Sequence, residues 1–258
     1  MANVTKWNWR VLLPASAALQ FAGFLIFFAT VSRHQSRPAS APPTTLETWM
    51  KLVMASTGGG GLMAALSACG CGIVAALLGQ FRLATALLLT SCILACVSLR
   101  VFQRSHKPAK TLGVSSSFPY FVRGAYAWLL VAASLGVYAA QSDAHGGIWG
   151  ASRHALTVGF LATVVFAIGQ RLLPAFCGMR LLYSKKLMFT SLAILNLGCL
   201  LRVASEIPAY EANLYAAWTI LPISAFTELT AVTLFALNLG ITLVLPPPYP
   251  AVLTPSPG

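Results

Sequence analysis

The sequence is short of charged residues, above all of acidic ones. Only 9% of its 258 residues are charged, and 17 Lys and Arg stand against 5 Asp and Glu. A soluble domain covers its surface with about a quarter charged residues, so this composition excludes an ordinary water-soluble domain. The mean hydropathy of +0.76 and the 57% hydrophobic content indicate that lipid surrounds most of the chain.

Motifs of several enzyme classes are also missing. The sequence has no phosphate-binding glycine loop, no HExxH helix and no Ser-His-acid order, and its six cysteines form no CxxC pair. Cys92 and Cys96 share a helix face, which suits either a soft metal or plain packing. The basic residues lie between the apolar runs and do not form one patch, so we expect no nucleic-acid partner. No self-sufficient catalytic constellation is predicted.

Apolar runs long enough to cross a bilayer recur along the chain. A hydrocarbon core of about 30 Å takes about 20 apolar residues per helix. The runs therefore predict an all-α fold, a polytopic membrane helix bundle with about seven transmembrane helices. The predicted spans are Val11–Val31, Ser56–Gln80, Leu83–Phe102, Phe121–Ala140, Ser152–Phe176, Leu187–Ser205 and Ala216–Val244.

Composition also suggests how the chain is divided. Residues 1–118 are predicted to form an N-terminal three-span region with a Pro- and Ser-rich loop at 32–48. Residues 119–245 form a predicted four-span region, and the Pro-rich tail 246–258 is expected to be disordered. Most of the polar residues singled out below lie in the four-span region.

The basic residues predict the orientation of the spans. Loops after spans one, three and five carry most of the Lys and Arg, including Lys185 and Lys186, whereas the loops after spans two, four and six carry few. The positive-inside rule then places the N-terminus outside and the C-terminus in the cytoplasm. The loop that contains His145 is expected on the outer face.

Polar residues in or beside the spans are candidate functional groups, because each is costly in lipid. The richest stretch holds Asp143, His145 and, at the start of the fifth span, His154. Imidazole is the usual protein ligand of haem iron, copper or zinc, and a nearby carboxylate can orient it. His154 and His145 are therefore candidate cofactor and metal ligands, with Asp143 beside them; incidental, solvated histidines are the alternative.

Three further intramembrane polar residues stand out. Glu228 lies mid-span, about 18 Å from the outer end, where a carboxylate is expected to be protonated or paired. Arg171 is its nearest candidate partner by depth, although it can also snorkel. Arg202 is expected to pair with Glu206 four residues later.

A stripe of small residues follows His154 on the fifth span, formed by Ala155, Gly159 and Thr163. Such a stripe either lets another helix approach closely or leaves room for a flat macrocycle. Helix packing alone is enough to explain it, and both alternatives stay open at this point.

The surroundings of His154 are similar to those of a known family. The run from Arg153 to Gly159 (RHALTVG), followed by a long span, an Arg and a late Gly-x-Arg, resembles the NnrS family of haem- and copper-associated bacterial membrane proteins linked to nitric oxide metabolism. That family is itself distantly similar to haem-copper oxidase subunit I. The resemblance covers roughly residues 145–245, and the family's early His-rich motif is absent here. His154 carries over by motif match, and Arg171, Arg202 and Glu228 only as polar positions.

The resemblance implies a haem- or metal-binding integral protein of the bacterial inner (cytoplasmic) membrane, acting in respiratory electron transfer or nitric oxide handling as a subunit of a larger complex. It implies haem, with the b type expected first, and copper as a second cofactor, although copper wants more histidines than the outer face offers. Expected partners are the lipid bilayer, other membrane subunits and a periplasmic redox protein. A cofactor-free anchoring subunit is the alternative, followed by a transporter that uses Glu228 and Arg171.

Overall fold

The structure, a computed structural model, describes residues 59–103, 118–176 and 183–244, except for the side chains of 170–176. Every regular element in these ranges is helical, which confirms the predicted all-α fold. The first predicted span, the loop at 32–48 and the tail 246–258 lie outside the described residues. The helices are α1 Gly59–Leu77, α2 Phe81–Ser98, α3 Phe118–Ser142, α4 Gly147–His154, the π-helix π1 Ala155–Ala162, α5 Thr163–Phe176, α6 Lys185–Glu211 and α7 Tyr215–Val244.

Six helices of the described ranges are long and apolar enough to cross a membrane, with α4, π1 and α5 running as one. Each coincides with one of the predicted spans two to seven, so the protein is a multi-pass membrane protein. Large apolar side chains such as Val74, Val97 and Phe226 are exposed on the helix surfaces. Lipid contact accounts for this exposure, since hydrocarbon replaces water around such helices.

The chain divides into two compact units, Met1–Arg100 and Val101–Gly258. In the first unit, α1 and α2 form a hairpin whose turn includes Gly79 at a φ of +77°. Glycine adopts this backbone conformation at less steric cost than residues with a side chain. Ser91 Oγ also donates a 2.7 Å hydrogen bond to the Ala65 carbonyl, which joins the two helices within the bilayer.

The second unit is built around α6 and α7, an antiparallel pair that α3, α4, π1 and α5 cover. A Cβ added at Gly198 of α6 would lie 2.7 Å from Glu228 Cγ and 3.1 Å from Glu228 N, so the two backbones pass closely at this depth. Deeper in the unit, the rings of Phe166 and Phe235 stack with centroids 4.0 Å apart. Small residues therefore set the helix spacing near Glu228, and aromatic rings fill the core beyond it.

The segment before α6 is fixed to the last helix. Asn238 of α7 accepts a hydrogen bond from Ser184 N and donates one to Ser184 O, both at 3.2 Å, while Thr242 Oγ1 accepts from Tyr183 N at 3.0 Å. The Ser184 side chain in turn caps α6 by accepting from Leu187 N. We call this end of the second unit, which carries Lys185, the Lys185 end, and the opposite end, which carries Glu211, the Glu211 end.

The predicted start of the fifth span is wrong by more than one helical turn. The helix begins at Gly147 rather than Ser152, because Asp143 accepts hydrogen bonds from Gly146 N and Trp149 N and so caps its first turn. His154 consequently lies two turns inside the helix, about 10 Å from its start, and not at the helix end. Gly147 and Gly150 are therefore helical residues that pack against α6.

Candidate functional site

His154 lies in the second unit at the junction of α4 and π1, with a side chain that is 30% exposed. Its Nδ1 is 3.2 Å from the Gly150 carbonyl oxygen and 3.0 Å from Glu206 Oε2. Both neighbours are hydrogen-bond acceptors, so Nδ1 carries a proton. In the neutral ring the lone pair is then on Nε2, the nitrogen that remains available as a ligand.

Glu206 of α6 is the acidic partner of His154 and is 7% exposed. The Nδ1–H bond is directed at the Gly150 carbonyl, so Glu206 Oε2 keeps a close charge contact without a hydrogen bond. Arg202 Nε lies 3.7 Å from the same oxygen, which confirms the predicted pairing of Arg202 with Glu206. The Glu206 carboxylate therefore interacts with both the Arg202 guanidinium and the His154 imidazole.

Glycine at position 150 makes room for this carboxylate. A Cβ placed there would overlap Glu206 Oε1 and lie 2.8 Å from Glu206 Cδ. One turn earlier, a Cβ at Gly147 would lie 2.8 Å from Tyr210 Cβ. The two glycines let α4 and α6 approach closely, and this approach brings His154 and Glu206 into contact.

Glu228 joins the same group from α7. It lies against Gly198 and within electrostatic range of His154, Arg202 and Glu206. We call His154, Arg202, Glu206 and Glu228 the charged cluster. Three of its buried polar atoms make no hydrogen bond within the described residues, namely Arg202 Nε, Glu206 Oε2 and Glu228 Oε1.

The stripe of small residues after His154 is occupied by other helices. A Cβ at Gly159 would lie 2.6 Å from Trp128 Cγ, and Ala155 and Thr163 are fully buried. Trp128 Nε1 also donates a 2.9 Å hydrogen bond to Asn196 Oδ1, which holds the indole in place. Helix packing, the first of the two alternatives, therefore explains the stripe, and Trp128 fills the space beside Gly159.

Asp143 and His145 lie at the Glu211 end and form a different set of contacts. His145 Nδ1 is 3.4 Å from Glu211 Oε2, and the His145 side chain is 64% exposed. Glu211 Oε1 also accepts hydrogen bonds from His145 N and Gly147 N. Because Asp143 caps α4, both carboxylates already have backbone partners. The roles of Asp143 and His145 as metal ligands stay predictions.

Two further predictions bear on metals and on Arg171. Within the described residues, no group of three or more His, Cys, Asp and Glu side chains is placed to hold a metal ion. Haem and copper binding stay predictions. The side chain of Arg171 lies outside the described residues, so its pairing with Glu228 stays a prediction.

The sequence predicted the pairing of Glu206 with Arg202, but it did not predict the contact between Glu206 and His154. The available signal was the glycine pair Gly147 and Gly150, three residues apart just before His154. Small residues three apart lie on one face of a helix, and a face of small residues lets another helix approach closely. They do not identify the partner helix, because that choice depends on how the whole unit packs.

Comparison with known proteins finds one family match. A family model described as "Domain of unknown function (DUF8744)" matches residues 54–241, which is more than two thirds of the chain. No curated protein and no solved structure matches the chain. The matched range includes all four residues of the charged cluster.

Proposed function

This chain belongs to the family described as a domain of unknown function, DUF8744, and we propose that it is a haem-binding multi-pass membrane protein whose iron ligand is His154. The observation that carries the proposal is the orientation of the imidazole. Nδ1 faces Gly150 O and Glu206 Oε2, so Nε2 holds the free lone pair. Histidines that bind metals commonly donate their other N–H to a carbonyl or a carboxylate in this way.

The residues around His154 would tune the ligand rather than bind the cofactor themselves. The Gly150 carbonyl fixes the tautomer, and the negative charge of Glu206 makes the imidazole more basic and a stronger donor to iron. When bound, haem supplies one-electron chemistry. A second ligand would come from His145, if the loop at the Glu211 end folded back, or from a partner subunit; otherwise His154 alone would hold the iron.

The resemblance to the NnrS family supports placing this activity in respiratory electron transfer or nitric oxide handling. On this proposal the protein is a subunit of a larger complex in the bacterial inner membrane and exchanges electrons with a periplasmic redox protein. The positive-inside orientation supports the periplasmic assignment, because it puts the Glu211 end, which is nearer to His154, on the outer face.

The test is an absorption spectrum of the purified full-length protein, followed by the same spectrum for three histidine variants. The wild type is expected to show a haem Soret band, and His154→Ala is expected to abolish or shift it. His106→Ala, in a loop predicted on the opposite face, is the matched control and should leave the band unchanged. A shift of the Soret band in His145→Ala would identify His145 as the second ligand. Acidification should also shift the band, because protonation of Nε2 competes with iron.

An unchanged band in His154→Ala would refute the ligand assignment. A second candidate function, a cofactor-free anchoring subunit, is favoured by one observation: Trp128 and the neighbouring helices fill the small-residue stripe. A wild type without bound haem or metal, in cells that supply haem, would favour that function.

A further inference from the structure

Two exposed lysines, Lys185 and Lys186, begin α6, and the second unit places no acidic side chain near them. The acidic side chains of that unit lie elsewhere, some at the Glu211 end and the others in the charged cluster. The nearest by depth is Glu228, which lies against Gly198, about 20 Å along α6 from Lys185. The positive charge at the Lys185 end is therefore not balanced by an acidic side chain of the second unit.

The length of α6 indicates the depth of these lysines in a bilayer. The helix has 27 residues and is therefore about 40 Å long, which exceeds the hydrocarbon core by about 10 Å. Its first and last turns consequently extend into the two headgroup layers. Lys185 and Lys186 lie at the level of the lipid phosphates, whereas Phe189, about 5 Å further along the helix, lies where the acyl chains begin.

An aromatic ring lies on the same face of α6 as the lysines. Phe189 follows Lys186 by three residues and Lys185 by four, and side chains at these spacings are neighbours on a helix surface. Phe189 is half exposed, and its ring packs edge-on against Phe121 of α3 with centroids 5.4 Å apart. The beginnings of α3 and α6 therefore meet beside the lysines.

Two exposed tyrosines lie next to these residues in the chain. Tyr120 immediately precedes Phe121 and is 70% exposed, and Tyr183 precedes the lysines and is 56% exposed. Tyrosine is enriched at membrane interfaces, because its ring is apolar and its hydroxyl group is polar. We call the following six residues the basic–aromatic surface: Tyr120, Phe121, Tyr183, Lys185, Lys186 and Phe189.

We infer that the basic–aromatic surface binds an anionic phospholipid, with the phosphate on Lys185 and Lys186 and an acyl chain along Phe189. Ammonium groups donate charge-assisted hydrogen bonds to phosphate oxygens. The predicted orientation puts this surface at the cytoplasmic leaflet, whose anionic lipids attract basic residues beside membrane helices. The charge of the lysines and the apolar ring below them thus match the two parts of one lipid molecule.

Arg123, near the beginning of α3, is engaged elsewhere. Its Nε donates a 3.2 Å hydrogen bond to the Val101 carbonyl, and its Nη2 donates a 2.8 Å hydrogen bond to the Gln103 carbonyl. This guanidinium therefore holds the segment 101–103 in place. The lysines are accordingly the groups that we assign to the headgroup.

This inference goes beyond haem binding and does not depend on it. The basic–aromatic surface shares no residue with the charged cluster and lies towards the opposite end of the second unit. A missing Soret band would refute the haem proposal alone. Equal binding of anionic and neutral lipids would refute the lipid site alone.

The test is native mass spectrometry of the full-length protein in detergent micelles, titrated with phosphatidylglycerol or with phosphatidylcholine of the same acyl chains. The wild type is expected to bind the first phosphatidylglycerol about thirtyfold more tightly, because each of two basic residues near an anionic headgroup contributes about fivefold. The double variant Lys185→Gln/Lys186→Gln should bind both lipids alike.

The double variant Arg82→Gln/Arg153→Gln is the matched control, because it removes the same total charge from exposed positions on other helices. It should keep the preference for phosphatidylglycerol, and so should Lys185→Arg/Lys186→Arg, which retains both charges. The inference is overturned if the wild type binds the two lipids equally or if the preference survives in Lys185→Gln/Lys186→Gln. Loss of the preference in the matched control also overturns it.

The same spectra separate two other occupants of this surface. Glycerol phosphate carries the phosphate without acyl chains and should not compete with phosphatidylglycerol at equal concentration. Competition would overturn the inference in favour of a site for a free phosphate ester. A protein dimer that dissociates when phosphatidylglycerol is added would overturn it in favour of a second copy of the chain.

Discussion

Glu206 is the residue on which the charged cluster depends. Its Oε2 atom lies 3.0 Å from His154 Nδ1 and 3.7 Å from Arg202 Nε, and the side chain is nearly excluded from solvent. Removing one member of a buried ion pair is costly because the other keeps its charge in a medium that solvates it poorly. Stability at this position should therefore depend on pairs of residues rather than on single ones.

A double-mutant cycle measures this dependence. Glu206→Gln and Arg202→Gln are each expected to lower the free energy of unfolding by about 2 kcal/mol, and the double variant by about 1 kcal/mol less than their sum. Reversible unfolding in mixed micelles provides the measurement. Arg153→Gln, at an exposed position of the same unit, is the control and should stay within about 0.5 kcal/mol of the wild type. Strict additivity would contradict the pairing.

Among the helices, glycines decide which elements touch. Gly150 admits the Glu206 carboxylate, Gly159 admits Trp128, and Gly198 admits the backbone of α7. The π-helical segment starts directly after His154, and Thr163 Oγ1 makes a contact to Val158 O five residues back. Such widened turns change the direction in which side chains project and often occur at functional sites. The cluster therefore depends on irregular helix geometry as well as on residue type.

Replacing one of these glycines tests the packing. Gly159→Ala is expected to lower the free energy of unfolding by about 2 kcal/mol, because the new methyl group must displace the Trp128 ring. Gly124→Ala is the control, since a Cβ there meets nothing within 4 Å. The control is expected to be neutral or stabilising by up to about 1 kcal/mol. Equal effects of the two substitutions in thermal unfolding would show that the Trp128 contact does not constrain the helix.

At the scale of the second unit, the two ends differ in charge. The Glu211 end carries Asp143 and Glu211, whereas the other end carries Lys185 and Lys186. Basic residues concentrated at one end of a helical unit are what the positive-inside rule expects of a protein with a fixed orientation. The predicted orientation places the Glu211 end outside.

Cysteine labelling tests that orientation. In a variant without the six native cysteines, Ala144→Cys at the Glu211 end and Tyr183→Cys at the Lys185 end each introduce one exposed thiol. An impermeant reagent added to intact cells is expected to label position 144 but not position 183. Labelling of both after membrane disruption is the control for thiol accessibility. The reverse pattern in intact cells would invert the topology.

Most of the fold follows from the sequence alone. Apolar runs of about 20 residues predict membrane helices because the bilayer leaves few other ways to satisfy the backbone, and six of the seven predicted spans coincide with helices of the described ranges. Arg202 and Glu206 could also be paired from their spacing of four, which depends on a single helix. Helix length and local pairs are properties of a continuous segment, so sequence is sufficient for them.

Only the tertiary structure decided which residues come together in the candidate site. The start of α4 was missed because its cap is the Asp143 side chain acting across a turn. The contact of His154 with Glu206, and the contact of Glu228 with Gly198, require α4, α6 and α7 to pack together. His154 and Glu206 lie more than 50 positions apart along the chain, and Gly150 lets α4 and α6 approach closely enough for them to meet. The sequence determined which polar side chains are costly to place in lipid, and helix packing determined which of them contact one another.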